Sequence, residues 1–400
     1  MILEVFLLLA LFEILLFSLI SFLRKDFQWL IIHKDKSVNI SRSVAEKFMK
    51  ESFHPKLGWM KKPNSKFDDI TENGRAIYNI SPDGTRKNEL YGTRKSKITS
   101  YGDSFCFGRL VDDNQTWQFF LSEKINHNVS NRGVGNYGLD QALLRFEMEL
   151  DSLSCKYVII NVVPETIARI RSVWKHYFEY GNTLAFKPHF RLYQGKLSLS
   201  DCPVQNADQL VATAKSPSRI EKKDYFYTKK FSKDIMRFPF VITIFKRPLR
   251  NLKLITLIIS DKIIRLINGD EKSRAFGAIL RENKRWVQKL YDEDESQELL
   301  YAILLRFRDL SKSRNIHPIL LWTPQKVDLE QRFINSYRCF LDRLTHMQID
   351  FVDMTDEFLK HKEKVYINGN LGPHPSAFAN KLTASVLHEK LIDIDEKDFS

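Results

Sequence analysis

Short apolar runs alternate with amphipathic segments along much of this chain. Residues 97–101 and 157–163 are typical of buried strands, and residues 139–153 between them place their apolar side chains on one helical face. The alternation returns late in the chain, where strands are predicted at 318–322 and 349–352 with helices around them. Strands that alternate with helices across short turns indicate an α/β layer fold with a largely parallel sheet.

The N-terminal segment sets a second condition on the structure. Residues 1–23 are apolar except for Glu4, Glu13 and two serines, a length that just crosses a hydrocarbon core of roughly 30 Å. No positive charge precedes the run and no small-residue cleavage site follows it, which favours an uncleaved single-pass membrane anchor over a signal peptide. Because Glu13 lies near the middle, it is expected either to face a partner helix within a spanning anchor or to belong to a helix that lies in the membrane interface.

Charge bears on orientation and partners. Arg24, Lys25, Lys34 and Lys36 follow the apolar segment, so the positive-inside tendency keeps the main body in the cytoplasm. The chain has 62 Lys and Arg against 49 Asp and Glu, a net charge of +13 that favours anionic partners such as lipid headgroups, nucleic acid or acidic glycans. Because a nucleic-acid function would rest on charge alone, no nucleic-acid partner is expected.

Changes in composition predict the domain organisation. An anchor at 1–25 precedes an irregular or short-stranded entry region at 26–95, which is rich in turn residues. The α/β domain is predicted to occupy 96–400, interrupted at about 165–290 by a basic, aromatic, helical insert. Within the insert, residues 238–267 suit either a basic amphipathic helix on anionic lipid or a helical cap that covers the core.

The cysteines point away from metal and thiol chemistry. Cys106, Cys155, Cys202 and Cys339 include no CxxC pair and no nearby histidine cluster. This spacing argues against a zinc site or a thiol redox motif. No cofactor and no metal are predicted.

Three short motifs carry the candidate chemistry. The first, Gly102-Asp103-Ser104, follows a predicted strand and opens a helix, the position at which open α/β sheets place their sites. The second is the glycine turn at 131–138, and the third is His374-Pro375-Ser376 at the start of the last helix. A serine in such a turn is alone more typical of a helix cap. A nucleophilic serine needs a base to remove its proton and donors for the oxyanion.

The three motifs, in this order, resemble the SGNH/GDSL hydrolase superfamily. The resemblance covers residues 97–163 and 316–391, and includes Asp140 to Arg145 behind the glycine turn. It implies a flavodoxin-like three-layer α/β/α fold, with Ser104 as nucleophile and His374 as base. It further implies an esterase or O-acyltransferase of a bacterial inner membrane, acting on an acylated glycan or lipid. Such a function would place the catalytic body outside, against the charge bias.

The oxyanion hole departs from the family pattern. The family combines the backbone N–H of the serine, here Ser104, with a glycine N–H that aligns with Asn136, or with Gly135 if the turn shifts by one residue. The asparagine of the third family block is missing from the segment after the strand at 157–163. The side chain of Asn136, or Thr166, is therefore the expected replacement donor.

The acid of the triad is also missing. The family carries its acid two or three residues before the histidine. In this chain those positions are Gly372 and Leu371, and Asn370 is the nearest polar residue. Asn370 is the expected orienter of the imidazole, with Asp353 or Asp328 as carboxylates that neighbouring loops could supply. The working hypothesis is a Ser–His dyad. The alternative is a catalytically degenerate SGNH fold that serves as a binding or scaffold module of a membrane or envelope polysaccharide assembly.

Overall fold

The computed structural model describes residues 2–92, 94–268, 273–370 and 372–398, and these fall into two compact units. The helical unit comprises Met1–Ala45, Ser172–Ala185 and Asn206–Arg285. The α/β unit comprises Glu46–Arg171, Phe186–Gln205 and Trp286–Ser400.

The strands of the described residues all lie in the α/β unit. In chain order they are β1 (Phe53–His54), β2 (Gly58–Trp59), β3 (Lys66–Thr71), β4 (Gly74–Asn79), β5 (Ser96–Gly102), β6 (Asn128–Gly133), β7 (Tyr157–Val162), β8 (His189–Tyr193), β9 (Lys196–Ser200), β10 (His317–Trp322), β11 (Asp350–Asp353), β12 (Tyr366–Ile367) and β13 (His374–Pro375).

The α-helices range from single turns to 22 residues. In chain order they are α1 (Ile2–Leu23), α2 (Arg42–Glu51), α3 (Ser104–Phe107), α4 (Trp117–Ile125), α5 (Leu139–Glu149), α6 (Thr166–Arg169), α7 (Ala207–Lys215), α8 (Ser218–Glu221), α9 (Ser232–Asp234), α10 (Phe240–Lys246), α11 (Pro248–Asn268), α12 (Arg274–Tyr291), α13 (Asp294–Lys312), α14 (Gln331–Leu344), α15 (Thr355–Lys360) and α16 (Ala377–Asp398).

The central sheet has five parallel strands in the spatial order β6-β5-β7-β10-β11. Numbered along the chain, this is the order 2-1-3-4-5 of flavodoxin-like doubly wound folds. Helices α4 and α16 pack together on one face of the sheet over an apolar core that includes Ile159 and Leu321. On the other face, Phe146 of α5 contacts Phe307 of α13. The predicted three-layer α/β fold is confirmed.

Most predicted elements of the sheet and its helices match the structure closely. The helix predicted at 139–153 is shorter, since α5 ends at Glu149 and continues as a 3₁₀ turn through Ser152. The apolar segment 238–267 forms two helices, α10 and α11, because Pro248 lacks the N–H that would continue the first of them.

The helical unit is built around α1. Its apolar cluster joins Ile20 and Leu23 of α1 to Phe240 and Ile244 of α10 and to residues of α11. Glu13, only 8% exposed, accepts hydrogen bonds from the backbone N–H groups of Phe240 and Val241 at the start of α10. Among the described helices, α1 is the one that is long and apolar enough to cross a membrane.

The region predicted as an insert, at about 165–290, is divided between the units. Residues 172–185 and 206–285 belong to the helical unit, and the antiparallel hairpin of β8 and β9 belongs to the α/β unit. The entry region at 26–95 is also shared, because residues 26–45 lie in the helical unit.

Candidate active site

Ser104 lies at the carboxyl end of the central strand β5, on a turn that requires glycine. Gly102 ends the strand with a φ of +150°, and a Cβ atom there would lie 1.9 Å from the carbonyl oxygen of Asn161. Asp103 then caps the single-turn helix α3 by accepting the N–H of Phe105 at 2.8 Å. Gly108 ends the turn in the left-handed conformation. The reversal places Ser104 at the first position of α3.

His374 is positioned by a short antiparallel pairing and a helix start. It lies on β13, where it pairs with Ile367 of β12. Two residues later, the hydroxyl of Ser376 accepts the N–H of Ala379 at 3.2 Å and so caps the beginning of α16. The predicted role of the His-Pro-Ser motif as a helix start therefore fixes the backbone on both sides of the histidine.

The structure brings Ser104 and His374 together across 270 residues of sequence. The Oγ atom of Ser104 and Nε2 of His374 are 3.0 Å apart, and the side chains belong to residues only 7% and 6% exposed. Nδ1 lies 3.1 Å from the carbonyl oxygen of Gly372. A carbonyl oxygen only accepts hydrogen bonds, so Nδ1 carries the proton of the neutral ring and Nε2 accepts the hydroxyl proton of Ser104.

The surroundings of His374 favour its neutral form. Burial lowers the pKa of its imidazole to about 4, and the positive charges of Arg109 and Arg169 act in the same direction. The hydrogen bond to Gly372 and the charge of Asp69 oppose this shift only partly. At neutral pH the ring is therefore unprotonated and able to accept a proton.

The groups expected to orient His374 are found elsewhere. Asn370 is exposed, and the described hydrogen bond of Nδ1 goes to the carbonyl of Gly372 instead. Asp328 lies in the turn after β10 and accepts the N–H of Gln325, and Asp353 ends β11 and accepts the N–H of Thr355. A carbonyl fixes the ring orientation and the tautomer, but it carries no full negative charge to stabilise an imidazolium.

The turn expected to supply oxyanion donors follows the neighbouring strand β6. Gly102 and Gly133 are register partners, so Ser104 and Gly135 each lie two residues beyond a paired glycine at the same edge of the sheet. Asn136 has a left-handed φ of +68°, and the indole N–H of Trp59 donates to the carbonyl oxygen of Gly135 at 3.0 Å. The hydrogen bond from Trp59 to the carbonyl oxygen of Gly135 thus holds the turn in place.

The other candidate donor, Thr166, has a structural partner. Its hydroxyl oxygen accepts the N–H of Leu139 at 2.8 Å, at the start of α5. Thr166 is completely buried. Its described role is therefore to connect the start of α5 to the segment after β7.

Two charged residues near the site were missed from the sequence. Arg109 directly follows the turn that carries Ser104. Its Nη1 atom lies 3.7 Å from the point that a Cβ atom on Gly135 would occupy. Asp69 of β3 holds this guanidinium through Nε at 2.7 Å and Nη2 at 3.2 Å. Arg109 could have been found from the sequence, because it directly follows Gly108, the glycine that ends the Ser104 turn. Asp69 could not, because it lies on a hairpin far away in the sequence and no local pattern connects the two.

A buried ion pair underlies the serine turn. Nη1 of Arg169 lies 3.0 Å from Oδ2 of Asp103 and also donates to the carbonyl oxygen of Tyr137. Nη2 of Arg169 reaches Glu165, which in turn accepts from Gln325 at 3.1 Å. Burial raises the pKa of Asp103 despite the positive charge of Arg169. This network joins the ends of β5, β7 and β10 beneath the candidate site.

No protein-family model and no curated protein sequence matches the chain. The chain is similar to the solved structure of a protein assigned to the G-D-S-L lipolytic family from Desulfitobacterium hafniense DCB-2, with 12% identity, coverage of 73% of this chain and 98% of that chain, and a TM-score of 0.32. It is also similar to a member of the lipolytic protein G-D-S-L family from Veillonella parvula DSM 2008, with 11% identity, coverage of 73% and 96%, and a TM-score of 0.33. Both are named for the family that the sequence motifs resemble.

Proposed function

We propose that the chain is a serine ester hydrolase or O-acyltransferase of the SGNH/GDSL type. The observation that carries the proposal is the 3.0 Å contact between Ser104 Oγ and His374 Nε2, together with the tautomer that the carbonyl of Gly372 imposes. A hydroxyl whose proton points at an unprotonated imidazole nitrogen is the arrangement that general-base activation needs.

The reaction follows from these atoms. His374 Nε2 takes the proton of Ser104 as Oγ attacks the acyl carbonyl, and the same proton then leaves with the alcohol when the ester bond breaks. The acyl group now forms an ester with Ser104. Water completes hydrolysis by attacking this ester, and an acceptor hydroxyl completes acyl transfer, with His374 again serving as the base. Because no carboxylate holds Nδ1 in the described site, the pair works as a dyad.

Positive charge and backbone donors support the oxyanion intermediate. The N–H of Ser104 lies at the start of α3, and the Gly135–Asn136 turn supplies further candidate donors. Arg109 lies beside this turn, and its positive charge already acts on His374. Preorganised donors and charge of this kind stabilise an alkoxide oxygen more in a buried site than in water.

The proposed substrate is an acylated glycan or lipid. Two observations support it: the apolar helix α1, which we propose to be a single-pass anchor in a bacterial inner membrane, and the positive charge of Arg109, which acts on His374. Burial and the charge of Arg109 lower the pKa of Lys61 to about 8, so Lys61 adds positive charge close to Arg109, against the one carboxylate of Asp69. An acyl ester carried on an anionic polymer or lipid would be attracted to this positive charge.

The direct test is ester cleavage by the full chain in mild detergent. Release of p-nitrophenol from p-nitrophenyl acetate should be lost in Ser104→Ala and in His374→Ala, and should persist in Ser152→Ala, which removes an exposed serine hydroxyl from the same unit. A fluorophosphonate probe should label wild type and Ser152→Ala but not Ser104→Ala. Activity that survives in folded Ser104→Ala would overturn the assignment.

A second candidate, a degenerate fold that binds but does not react, is favoured by the environment of His374. Its pKa of about 4 and its carbonyl partner make it a weaker base than a carboxylate-supported histidine. Under this alternative, folded wild-type protein would remain unlabelled by the fluorophosphonate probe and would cleave no ester. The labelling experiment therefore separates the two candidates.

A further inference from the structure

The helical unit contains a cavity of about 580 Å³ that is strongly basic. All of its lining residues belong to this unit. The cations among them are Lys230, Arg247, Arg250, Lys253, Arg281 and Arg285. Glu282 is the one acidic residue among the described lining residues. Charge of one sign, concentrated in a concave site, attracts an anionic ligand.

A buried carboxylate organises three of these cations. Asp234 is 2% exposed, and its Oδ2 atom lies 2.9 Å from Nζ of Lys230 and 3.4 Å from Nη2 of Arg250, while its Oδ1 atom contacts Arg247. Although burial alone would raise it, these cations hold the pKa of Asp234 below its usual value. The single carboxylate of Asp234 thus holds three cations in place but neutralises only one positive charge, so the cavity keeps an excess of positive charge.

Two further cations at the cavity have their charge available for a ligand. Lys253 of α11 and Arg281 of α12 are exposed and have no ion-pair partner among the residues that the structure describes. Glu282 is already engaged, since it accepts from Arg247 at 3.1 Å. The cavity therefore has unneutralised charge on both of these helices.

Apolar surface adjoins the positive charge. Trp29 and Tyr180 line the cavity, and their rings pack edge to face with centroids 5.6 Å apart. Leu249, also a lining residue, is 89% exposed, and Ile242 and Phe245 on the preceding helix α10 are 55% and 62% exposed. An inorganic anion would gain nothing from these side chains, whereas an amphiphile with an anionic headgroup matches both surfaces.

The same helices pack against α1. Helices α10 and α11 both contact α1, and Glu13 of α1 caps the start of α10. The helix long and apolar enough to cross a membrane is therefore part of the unit that contains the cavity. This continuity favours a ligand drawn from the membrane over a soluble one.

We propose that this cavity binds the phosphate headgroup of an anionic membrane phospholipid, whose acyl chains lie along the exposed apolar residues of α10 and α11. The lining of the cavity shares no residue with the unit that holds Ser104 and His374, so the inference goes beyond the proposed catalysis. It rests on one part of the proposed function, the membrane anchor α1. Each basic residue contributes on the order of fivefold to binding at an anionic lipid surface.

The test uses the full chain in mild non-ionic detergent with fluorescent NBD-phosphatidylglycerol, and NBD-phosphatidylcholine as the neutral-headgroup comparison. The cavity variant is Lys253→Gln/Arg281→Gln. The matched control is Lys222→Gln/Lys229→Gln, which removes the same charge from two exposed lysines of the same unit that do not line the cavity. Circular dichroism establishes that both variants fold.

The expected result is preferential binding of phosphatidylglycerol, weakened about 10- to 30-fold in the cavity variant and unchanged in the control. Equal affinity for the two lipids, or equal weakening in the two variants, would overturn the proposal. In the second part of the test, millimolar inorganic phosphate is added to the protein–lipid complex and displacement of the fluorescent lipid is measured. Failure of phosphate to displace the lipid supports a lipid source, and complete displacement would instead assign the cavity to a soluble phosphate ligand.

Discussion

The N–H at Nδ1 of His374 donates to the carbonyl oxygen of Gly372, only two residues upstream, at 3.1 Å. This local contact occupies the place at which a triad carboxylate would hold the ring. It sets the tautomer that leaves Nε2 open to Ser104, and it does so without a formal negative charge. His374 thus has the geometry that a general base would need, without the negative charge that a carboxylate partner would supply.

The first prediction concerns pH. Because the pKa of His374 is about 4, kcat/KM for an ester should be constant between about pH 5 and 8 and should fall as pH drops through 4, where the ring becomes protonated and can no longer accept the serine proton. Arg109→Gln removes a charge that lowers this pKa and should move the acid limb to higher pH. An acid limb near 6.5 in wild type would contradict the buried environment described for the ring.

The second prediction tests the Asn136 side chain as an oxyanion donor. Asn136 has a φ of +68°, so Asn136→Ala strains the turn, whereas Asn136→Gly keeps the left-handed backbone and its N–H. Loss of a side-chain donor should lower kcat by about 10²–10³ in both variants. If Asn136→Gly retains wild-type turnover in the p-nitrophenyl acetate assay, the side chain is not the donor.

The third prediction concerns the Asp103–Arg169 pair. Arg169→Met removes one partner of a buried ion pair and should destabilise the α/β unit by about 3–5 kcal/mol, measured by thermal or denaturant unfolding. Asp103→Asn/Arg169→Met should be less destabilised, because the fully buried carboxylate of Asp103 is then removed together with its cation, although Glu165 still loses its contact with Arg169. Arg314→Met, which breaks an exposed ion pair with Asp151, is the control and should change stability little. Equal losses in the single and double variants would argue against an electrostatic role.

The fourth prediction separates close packing from backbone strain at glycine. Gly102→Ala would place its Cβ 1.9 Å from the carbonyl oxygen of Asn161 and should prevent the turn at Ser104 from folding. Gly74→Ala, at a φ of +120° with open space around it, should cost only the backbone strain of about 1–3 kcal/mol. Soluble yield and fluorophosphonate labelling report the difference. Equal behaviour of the two variants would refute the close approach.

The fifth prediction concerns Glu13 of α1. Its carboxylate accepts the N–H groups of Phe240 and Val241, so Glu13→Ala should loosen the start of α10 by roughly 0.5–2 kcal/mol, as helix-cap losses do. Limited proteolysis of the detergent-solubilised full chain should then cut faster near Phe240. Glu13→Gln keeps an acceptor oxygen and should lie between wild type and Glu13→Ala. Identical digestion of all three would show that the cap contributes nothing.

Local sequence determined a large part of the architecture. The alternation of apolar runs and amphipathic segments predicts the elements of the parallel sheet, because the periods of strands and helices follow from backbone geometry within a few residues. The Gly-Asp-Ser and His-Pro-Ser motifs likewise predict a serine and a histidine at turns that open helices. The apolar run at residues 2–23 determines a long helix suited to a membrane.

Only the tertiary structure decided how these parts meet. The 3.0 Å contact between Ser104 and His374 depends on the order of the strands, and the hydrogen bond of His374 to Gly372 depends on the path of one loop. The pairing of Arg109 with Asp69, and the burial of Glu13 against α10, also join residues far apart in the chain. Such contacts arise from the packing of whole elements, which leaves no periodic signal at either residue. For this reason local motifs were enough to propose Ser104 and His374 as a pair, whereas the groups that set the charge and orientation of His374 had no such signal.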